Sequence, residues 1–431
     1  MEKFTQRYHE ICSKFWPIIP LSYIVGSGIS YTKFRLFHFF ALVYFVDIML
    51  HFKKINIKKW ELPLFLFFIW ELLTIFWAAD TNLSLKYLFC LGNGYVLIFL
   101  VGHYFNCSQD EIQKVLKVIF KFNFTLMGLG VLETLGVFRW PFNKYSPSFY
   151  SNNLTELLNF YNTDLNGLAY FKSLPAVFFW NSNDLCFYLI STLPFLLIVN
   201  IKEKWFKYFY LILVFWILLA NTGRSTLLGF ILFLIPAIYF SRKTKTFRNF
   251  LIGMLLSLFC VLIFASEINS LGLSRQNRFR SFAGAFLVYS NVELSSDVTK
   301  NIYITSSTAK RASYLHMAFD QFKGHYPQGI GAGNLLLKLD DNPPINVHNF
   351  WVEILVESGV IGFSLFLFWI SSWLNEIRTL QNECTAVYLS VFITVPSALS
   401  VSSAVYQPGF WIPVLFVYMF VGIKREGIKS S

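Results

Sequence analysis

The sequence predicts an all-α integral membrane protein with about 12 transmembrane helices. Of its 431 residues, 55% are hydrophobic and only 14% are charged, whereas soluble domains carry about 25% charged residues. The 50 Phe and 12 Trp residues exceed what a globule of this size can bury, but lipid solvates such side chains directly. Apolar runs recur along the whole chain, and each is long enough to cross a hydrocarbon core as a helix.

The apolar runs define the predicted spans, and no repeat of fixed period separates them. The spans lie at about residues 15–30, 35–52, 62–79, 85–102, 115–135, 175–199, 205–221, 223–240, 248–266, 350–373, 384–403 and 408–423. The first run leads into another span and not into a small-residue cleavage site, so it is predicted to be retained. Residues 1–431 therefore form one predicted polytopic membrane domain.

The short connections predict the orientation. Lys53 and Lys54 follow the second span, and basic residues also follow the fourth, sixth, eighth and last. Because such residues stay in the cytoplasm, both termini are predicted to be cytoplasmic. The connections at 138–174 and 267–347 are then external loops.

The two external loops differ in composition. Residues 138–174 are rich in Tyr, Phe, Asn and Ser, which suits either stacking on sugar rings or an aromatic belt at the interface. Residues 267–347 are too many for a simple connector. A cap at Ser307 or Thr308 and apolar residues at helical spacing predict an amphipathic helix near 306–323, between the ninth and tenth spans.

The sequence excludes several chemistries. The net charge of +12 comes mostly from residues that flank spans, so nucleic acid is not a predicted partner. The six Cys residues are scattered and have neither a disulfide framework nor zinc spacing. No phosphate-binding Gly-rich loop occurs, and Asp340-Asp341 does not have the spacing that holds a metal against a nucleotide diphosphate. We therefore predict neither a metal nor a cofactor.

The most specific segment runs from a glycine-rich stretch into the tenth span. Gly329-Ile-Gly-Ala-Gly333 is followed by His348-Asn349, nine further residues and Gly359-Val-Ile-Gly. An imidazole, which accepts a proton near neutral pH, thus stands at the outer mouth of a span. The alternative is an interfacial His that only caps the helix.

Arginines occur at three places where an anion is expected. Arg224 lies in a bare turn at the membrane boundary, where it either binds an anion or extends to the interface. Arg311 lies on the apolar face of the external helix and needs a substrate phosphate or a structural carboxylate. Arg280 belongs to a basic cluster that either guides a lipid phosphate or forms a solvated patch.

The sixth span opens with Phe179-Trp-Asn181-Ser-Asn183-Asp184. Its amides and carboxylate suit the binding of sugar hydroxyl groups, and capping of the helix is the alternative.

Together these elements resemble the bacterial O-antigen polymerase and O-antigen ligase family. The resemblance rests on the Gly-x-Gly turn with His-Asn-x9-Gly-x-x-Gly, on the Arg224 and Arg311 elements and on Asn-x-Asn-Asp. It extends from about Trp77 to about Phe363 and includes Trp77-Ala-Ala-Asp80, for which we predict a structural role.

One feature departs from the family pattern. Some ligases carry an acidic residue near the penultimate span, but no Asp or Glu occurs from Thr385 to Pro408. If a carboxylate must orient His348, it has to come from elsewhere, with Glu353 and Glu357 on the following helix as candidates.

The resemblance implies a glycosyltransferase that takes glycan from a polyprenyl-diphosphate carrier on the outer face of the bacterial cytoplasmic membrane. For the mechanism we predict His348 as general base, Arg224 and Arg311 as ligands of the departing diphosphate, and an inverting, metal-independent displacement. The expected partners are the lipid-linked oligosaccharide, a glycan acceptor, membrane lipid and other polysaccharide-assembly proteins. Predicted substrate contacts are Arg280, Asn181, Asn183, Asp184, Asn349 and Glu357.

Polymerase and ligase differ in the acceptor. A polymerase extends another lipid-linked glycan, whereas a ligase uses lipid A core or another envelope acceptor. We favour a polymerase of a surface polysaccharide because of the Asn-x-Asn-Asp element and the missing distal carboxylate. A flippase or transporter of lipid-linked sugars is disfavoured, since the polar residues are concentrated in one external loop and not in paired interrupted helices.

Overall fold

The computed structural model is predominantly helical within the residues that it describes. These are residues 2–26, 30–31, 34–51, 61–106, 108–141, 143, 145–146, 173–221, 224–241, 245–264, 306–335, 347, 349–378, 392–393 and 404–429. The helices are α1 (Glu2–Phe15), α2 (Ile18–Val25), α3 (Leu36–Leu50), α4 (Leu62–Leu73), α5 (Thr81–Tyr104), α6 (Gln109–Thr134), α7 (Ser182–Thr192), α8 (Lys204–Asn221), α9 (Arg224–Phe240), α10 (Lys245–Phe264), α11 (Ser306–Gly324), α12 (Phe350–Arg378) and α13 (Pro408–Lys429).

The helices have the composition of an all-α membrane protein. Three are long and apolar enough to cross a bilayer: α5, α6 and α12 over Phe350–Asn375. Shorter apolar helical segments lie at Leu36–Leu50, Leu62–Trp77, Ser182–Leu197, Trp205–Asn221, Thr226–Tyr239 and Pro408–Ile423. The number of about 12 spans stays a prediction. The predicted span at 384–403 lies largely outside the described residues.

The first predicted span, 15–30, is wrong as a continuous helix. Pro17 stands at the N-cap of α2, and Gly26 ends this helix after eight residues with a φ of +36°. At 1.5 Å per residue, such a helix is only about 12 Å long. The chain then forms a small antiparallel hairpin, in which Ser30–Tyr31 (β1) pairs with Phe34–Arg35 (β2).

Two helix boundaries follow from side-chain caps. Helix α6 begins where Ser108 Oγ accepts the Glu111 amide at 3.2 Å, and it continues without a break through the fifth predicted span as far as Thr134. Helix α7 begins at Ser182 and not near residue 175, because Asn181 caps its first turn.

Packing of α11 positions the glycine-rich stretch. The helix at Ser306–Gly324 confirms the helix predicted near 306–323. Its buried residues Tyr314 and Ala318 form a hydrophobic cluster with Ile330 and Val356, so the apolar face covers the start of α12. Helix α4 packs along α12, and α7 packs along α13.

Candidate active site

Helix α12 is broken in the middle of its apolar stretch. Gly359 has a φ of +69° and a ψ of −172°, which is a left-handed conformation outside the helical range. A Cβ atom at this position would lie 2.3 Å from the backbone atoms Gln328 C and Pro327 O. Only glycine therefore fits here without a shift of the backbone.

The glycine-rich turn at 329–333 docks into this break. A helix that is interrupted leaves carbonyl groups without intrahelical partners. The Ile330 amide donates to Val356 O and the Gly331 amide donates to Glu357 O, both at 3.0 Å. In the other direction, the Val360 amide donates to Pro327 O at 2.8 Å. The two glycine motifs of the sequence thus satisfy each other's backbone groups.

Hydrogen bonds also join this turn to the start of α5 and to the residues that precede it. The Ala332 amide donates to Thr74 Oγ1 at 2.9 Å, and Ser84 Oγ donates to Ala332 O at 2.7 Å. Asn334 Oδ1 accepts the Asp80 amide at 2.8 Å. These contacts support the structural role predicted for the Trp77–Asp80 element.

Three buried carboxyl groups belong to the helices that surround the break: Glu71, Glu353 and Glu357. Glu357 Oε1 accepts the Leu335 amide at 3.0 Å, and Glu71 Oε1 accepts from Ser358 Oγ at 2.5 Å. The second oxygens of Glu71 and Glu357 are buried and have no hydrogen-bond donor among the described residues. The interpretation of the sequence missed Glu71, although it is the only charged residue in the third predicted span, a placement that is usually functional.

Asn349 caps the start of α12. Its Oδ1 accepts the Val352 amide at 3.2 Å, and its carbonyl accepts the Glu353 amide at 2.9 Å. His348 itself lies outside the described residues, between the buried Val347 and this cap. The structure therefore describes the rigid support on one side of His348.

The Asn-x-Asn-Asp element meets the segment that precedes Arg224. Asn183 Oδ1 accepts from Asn221 Nδ2 at 3.1 Å. Asn221 ends α8, and Arg224 is the first residue of α9. Two motifs that the sequence keeps about forty residues apart thus lie side by side at the same end of the helices.

Asp184 contacts the start of the last helix. Its Oδ1 accepts from Gln407 Nε2 at 3.0 Å. Its Oδ2 accepts from Asn181 Nδ2 at 2.8 Å, and its amide donates to Asn181 Oδ1 at 3.0 Å. Asn181 is therefore a helix cap, as the alternative interpretation of this element expected. Gln407 was missed by sequence reasoning, and its only signal is an amide directly before a proline at a span boundary.

The start of α12, which the Asn349 cap precedes, and the Asn-x-Asn-Asp element both contact the start of α13. The Phe350 ring, next to Asn349, lies 5.5 Å from the Phe410 ring between centroids. The Phe410 backbone amide donates to Gln407 O at 3.1 Å. Phe410 therefore lies one turn after Gln407, whose side-chain amide donates to Asp184. The start of α12 and the Asn-x-Asn-Asp element thus contact residues that are one turn apart at the start of α13.

The remaining predicted site residues lie outside the described atoms. Arg280 falls outside the described ranges. The backbones of Arg224 and Arg311 lie within α9 and α11, but their side chains are not among the described groups. Their roles stay predictions.

Comparison with known proteins bears on the family. Residues 209–367 match the family model described as O-antigen ligase. This range includes Arg224, Arg311, His348 and the break at Gly359. The chain is also 25% identical, over 83% of its own length and 70% of the relative's, to the teichuronic acid biosynthesis protein TuaE of Bacillus subtilis (strain 168). Both findings support the assignment of this chain to the O-antigen ligase and polymerase family.

Proposed function

We propose that the protein is a membrane glycosyltransferase that polymerises a surface polysaccharide from a polyprenyl-diphosphate-linked donor. The observation that carries the proposal is a chain of contacts: Asn221, before Arg224, contacts Asn183, Asp184 contacts Gln407, and Phe410 contacts Phe350 beside the Asn349 cap. These contacts support the proposal that three motifs far apart in sequence contribute to one site. A role of the relative in teichuronic acid biosynthesis supports polysaccharide assembly as the general process.

In the proposed reaction, His348 removes the proton from an acceptor sugar hydroxyl group. The oxygen forms a bond to the anomeric carbon of the donor while the bond from that carbon to the diphosphate oxygen breaks. Arg224 and Arg311 bind the departing polyprenyl diphosphate, whose negative charge grows in the transition state. A single displacement inverts the anomeric carbon, and the proton stays on His348 until it passes to solvent.

Several other residues of the motifs have supporting parts in this proposal. Asn349 holds the start of α12, and Glu357 holds the glycine-rich turn through the Leu335 amide. Asn183 and Asp184 join α7 to α8 and α13, so that their elements form one wall for the sugar. Arg280 is proposed to guide the lipid phosphate toward this wall.

The acceptor distinguishes the proposed polymerase from the second candidate, a ligase, which the description of the family model favours. Purified protein is incubated with a defined polyprenyl-diphosphate oligosaccharide, with and without lipid A core. A ladder of products without lipid A core supports the polymerase, whereas a single adduct that requires it identifies a ligase. Failure to form any glycosidic bond under either condition would refute both and leave transport as the remaining class.

Arg224→Lys and Arg311→Lys should each lower turnover at least tenfold, since removal of one preorganised donor typically costs about 10²–10³-fold. Lysine keeps the charge but cannot form the planar bidentate contact to phosphate oxygens. Turnover is measured per folded molecule, with Arg248→Lys near the start of α10 as the matched control. Normal specific activity of both variants would exclude the diphosphate role.

We further propose that the transfer site faces the outside of the cytoplasmic membrane and that both termini are cytoplasmic. In a variant without native Cys, Gly324→Cys at the end of α11 should react with an impermeant maleimide in intact cells. Nothing lies within 4 Å of a Cβ placed there, so the thiol is accessible. Lys3→Cys should react only after lysis. The reverse pattern would overturn the orientation.

A further inference from the structure

A second cluster of polar side chains joins α1 to the end of α3. Asp47 on α3 has a fully buried side chain, and each of its oxygens faces one imidazole. His9 Nδ1 lies 2.8 Å from Asp47 Oδ2, and His51 Nδ1 lies 3.0 Å from Asp47 Oδ1. One ligand atom from each residue lies within 4.8 Å of the other two.

This cluster is remote from the proposed transfer site. Tyr104, the last residue of α5, donates its hydroxyl to Asp47 Oδ2 at 2.6 Å. The other end of α5 contacts the glycine-rich turn through Ser84. The 24 residues of α5 extend over about 36 Å. The cluster therefore lies at the opposite end of α5 from the glycine-rich turn and away from the proposed transfer site.

One carboxylate oxygen of this cluster has no hydrogen-bond donor among the described residues. Asp47 Oδ1 receives no hydrogen bond of ordinary geometry from the described residues, although His51 Nδ1 is only 3.0 Å away. His51 Nδ1 instead lies 3.1 Å from the Asp47 carbonyl oxygen. A buried carboxylate is stabilised by a nearby positive charge, which either a protonated imidazole or a bound cation supplies. A cation held between these atoms would satisfy both the oxygen and the charge.

We propose that His9, Asp47 and His51 form a binding site for a divalent transition metal, with Zn²⁺ as the preferred probe. Two imidazole nitrogens and one carboxylate oxygen are donors that Zn²⁺ commonly binds, and water completes a tetrahedral site. The His side chains are 35% and 23% exposed, so an ion can reach them.

Two side chains next to the cluster are placed to orient its proposed metal ligands. Tyr104 fixes the carboxylate, and Ser13 Oγ lies 3.4 Å from His9 Nε2, the ring nitrogen that does not face Asp47. Such contacts orient ligands and typically change metal affinity about 10- to 100-fold when removed. Asp47 and His51 are four residues apart on adjacent helical turns. His9 comes from a separate helix, so no short spacing in the sequence indicates the site.

The full-length protein, purified on a tag without His and treated with a chelator, is titrated with Zn²⁺ by calorimetry. We expect one Zn²⁺ per chain and a higher thermal unfolding midpoint when Zn²⁺ is present. His9→Gln and His51→Gln should each lower the affinity at least tenfold, whereas His103→Gln and His325→Gln should bind normally. Absorption of bound Co²⁺ provides a spectroscopic check of the nitrogen and oxygen ligands.

Tyr104→Phe keeps the ring and removes one hydrogen bond, so it tests the site even if the His variants do not fold. We expect its Zn²⁺ affinity to fall about 10- to 100-fold. Absence of stoichiometric Zn²⁺ binding by the wild type, or undiminished binding by folded His9→Gln and His51→Gln proteins, would overturn the proposal.

Discussion

His348→Ala should lower the rate of glycan transfer by about 10²–10⁴-fold, the usual contribution of a general base. The acceptor hydroxyl group is a poor nucleophile while it keeps its proton, and alanine cannot accept it. Binding of the donor should change little, because His348 is proposed to act on the acceptor. Product formation from a defined polyprenyl-diphosphate oligosaccharide and separate donor binding are measured on the purified variant.

His325→Ala is the matched control for this experiment. His325 follows α11 and is exposed, and its Nδ1 lies 3.0 Å from the backbone oxygen of Gln321. This variant should keep nearly normal turnover. If His348→Ala retained more than about half of wild-type turnover, where loss of a general base should cost at least about 10²-fold, the base would have to be sought among Glu353, Glu357 and Asp184.

Gly359→Ala should destabilise the folded protein by about 3–5 kcal/mol, through unfavourable backbone geometry and overlap together. The positive φ of +69° is strained for alanine, and the new methyl group would overlap Gln328 C and Pro327 O at 2.3 Å. These are backbone atoms of the docked turn, so no side-chain rotation relieves the overlap. Thermal or denaturant unfolding in detergent measures the loss.

Gly253→Ala is the control for the glycine substitution. Gly253 lies within α10 at ordinary helical φ, and nothing stands within 4 Å of a Cβ placed there. Alanine should therefore be neutral or slightly stabilising, by about 0.5–1 kcal/mol. Equal stability of Gly359→Ala and wild type would mean that the turn does not dock into the broken helix as described.

The His-Asn-x9-Gly-x-x-Gly motif combines structural roles with a proposed chemical role. The glycine at 359 allows a loop backbone to enter a helix, and the asparagine caps that helix. The histidine is proposed to carry the chemistry. Activity measured per folded molecule separates them, because Gly359→Ala should reduce the folded fraction and His348→Ala should reduce turnover.

The membrane class, the helix at Ser306–Gly324 and the family resemblance could be predicted from the sequence alone. Composition, apolar run length and helical spacing are local properties, so they can be recognised without knowledge of any contact. Prediction failed at 15–30, where Pro17 and Gly26 interrupt an apolar run that hydropathy treats as continuous. The buried Glu71 was also missed, although it is the only charged residue of its predicted span; its hydrogen bond from Ser358 Oγ depends on the packing of two helices.

Which motifs contact one another could be learned only from the packing of the helices. Asp184 and Gln407 are 223 residues apart, and Ser84 and Ala332 are 248 residues apart, yet both pairs are hydrogen-bonded. The same holds for His9 and Asp47, which come from different helices. Such contacts depend on how whole helices pack, and each residue pattern is compatible with many packings. Hydropathy therefore identifies the segments that favour the membrane, whereas hydrogen bonds between distant helices help to determine which helices lie side by side.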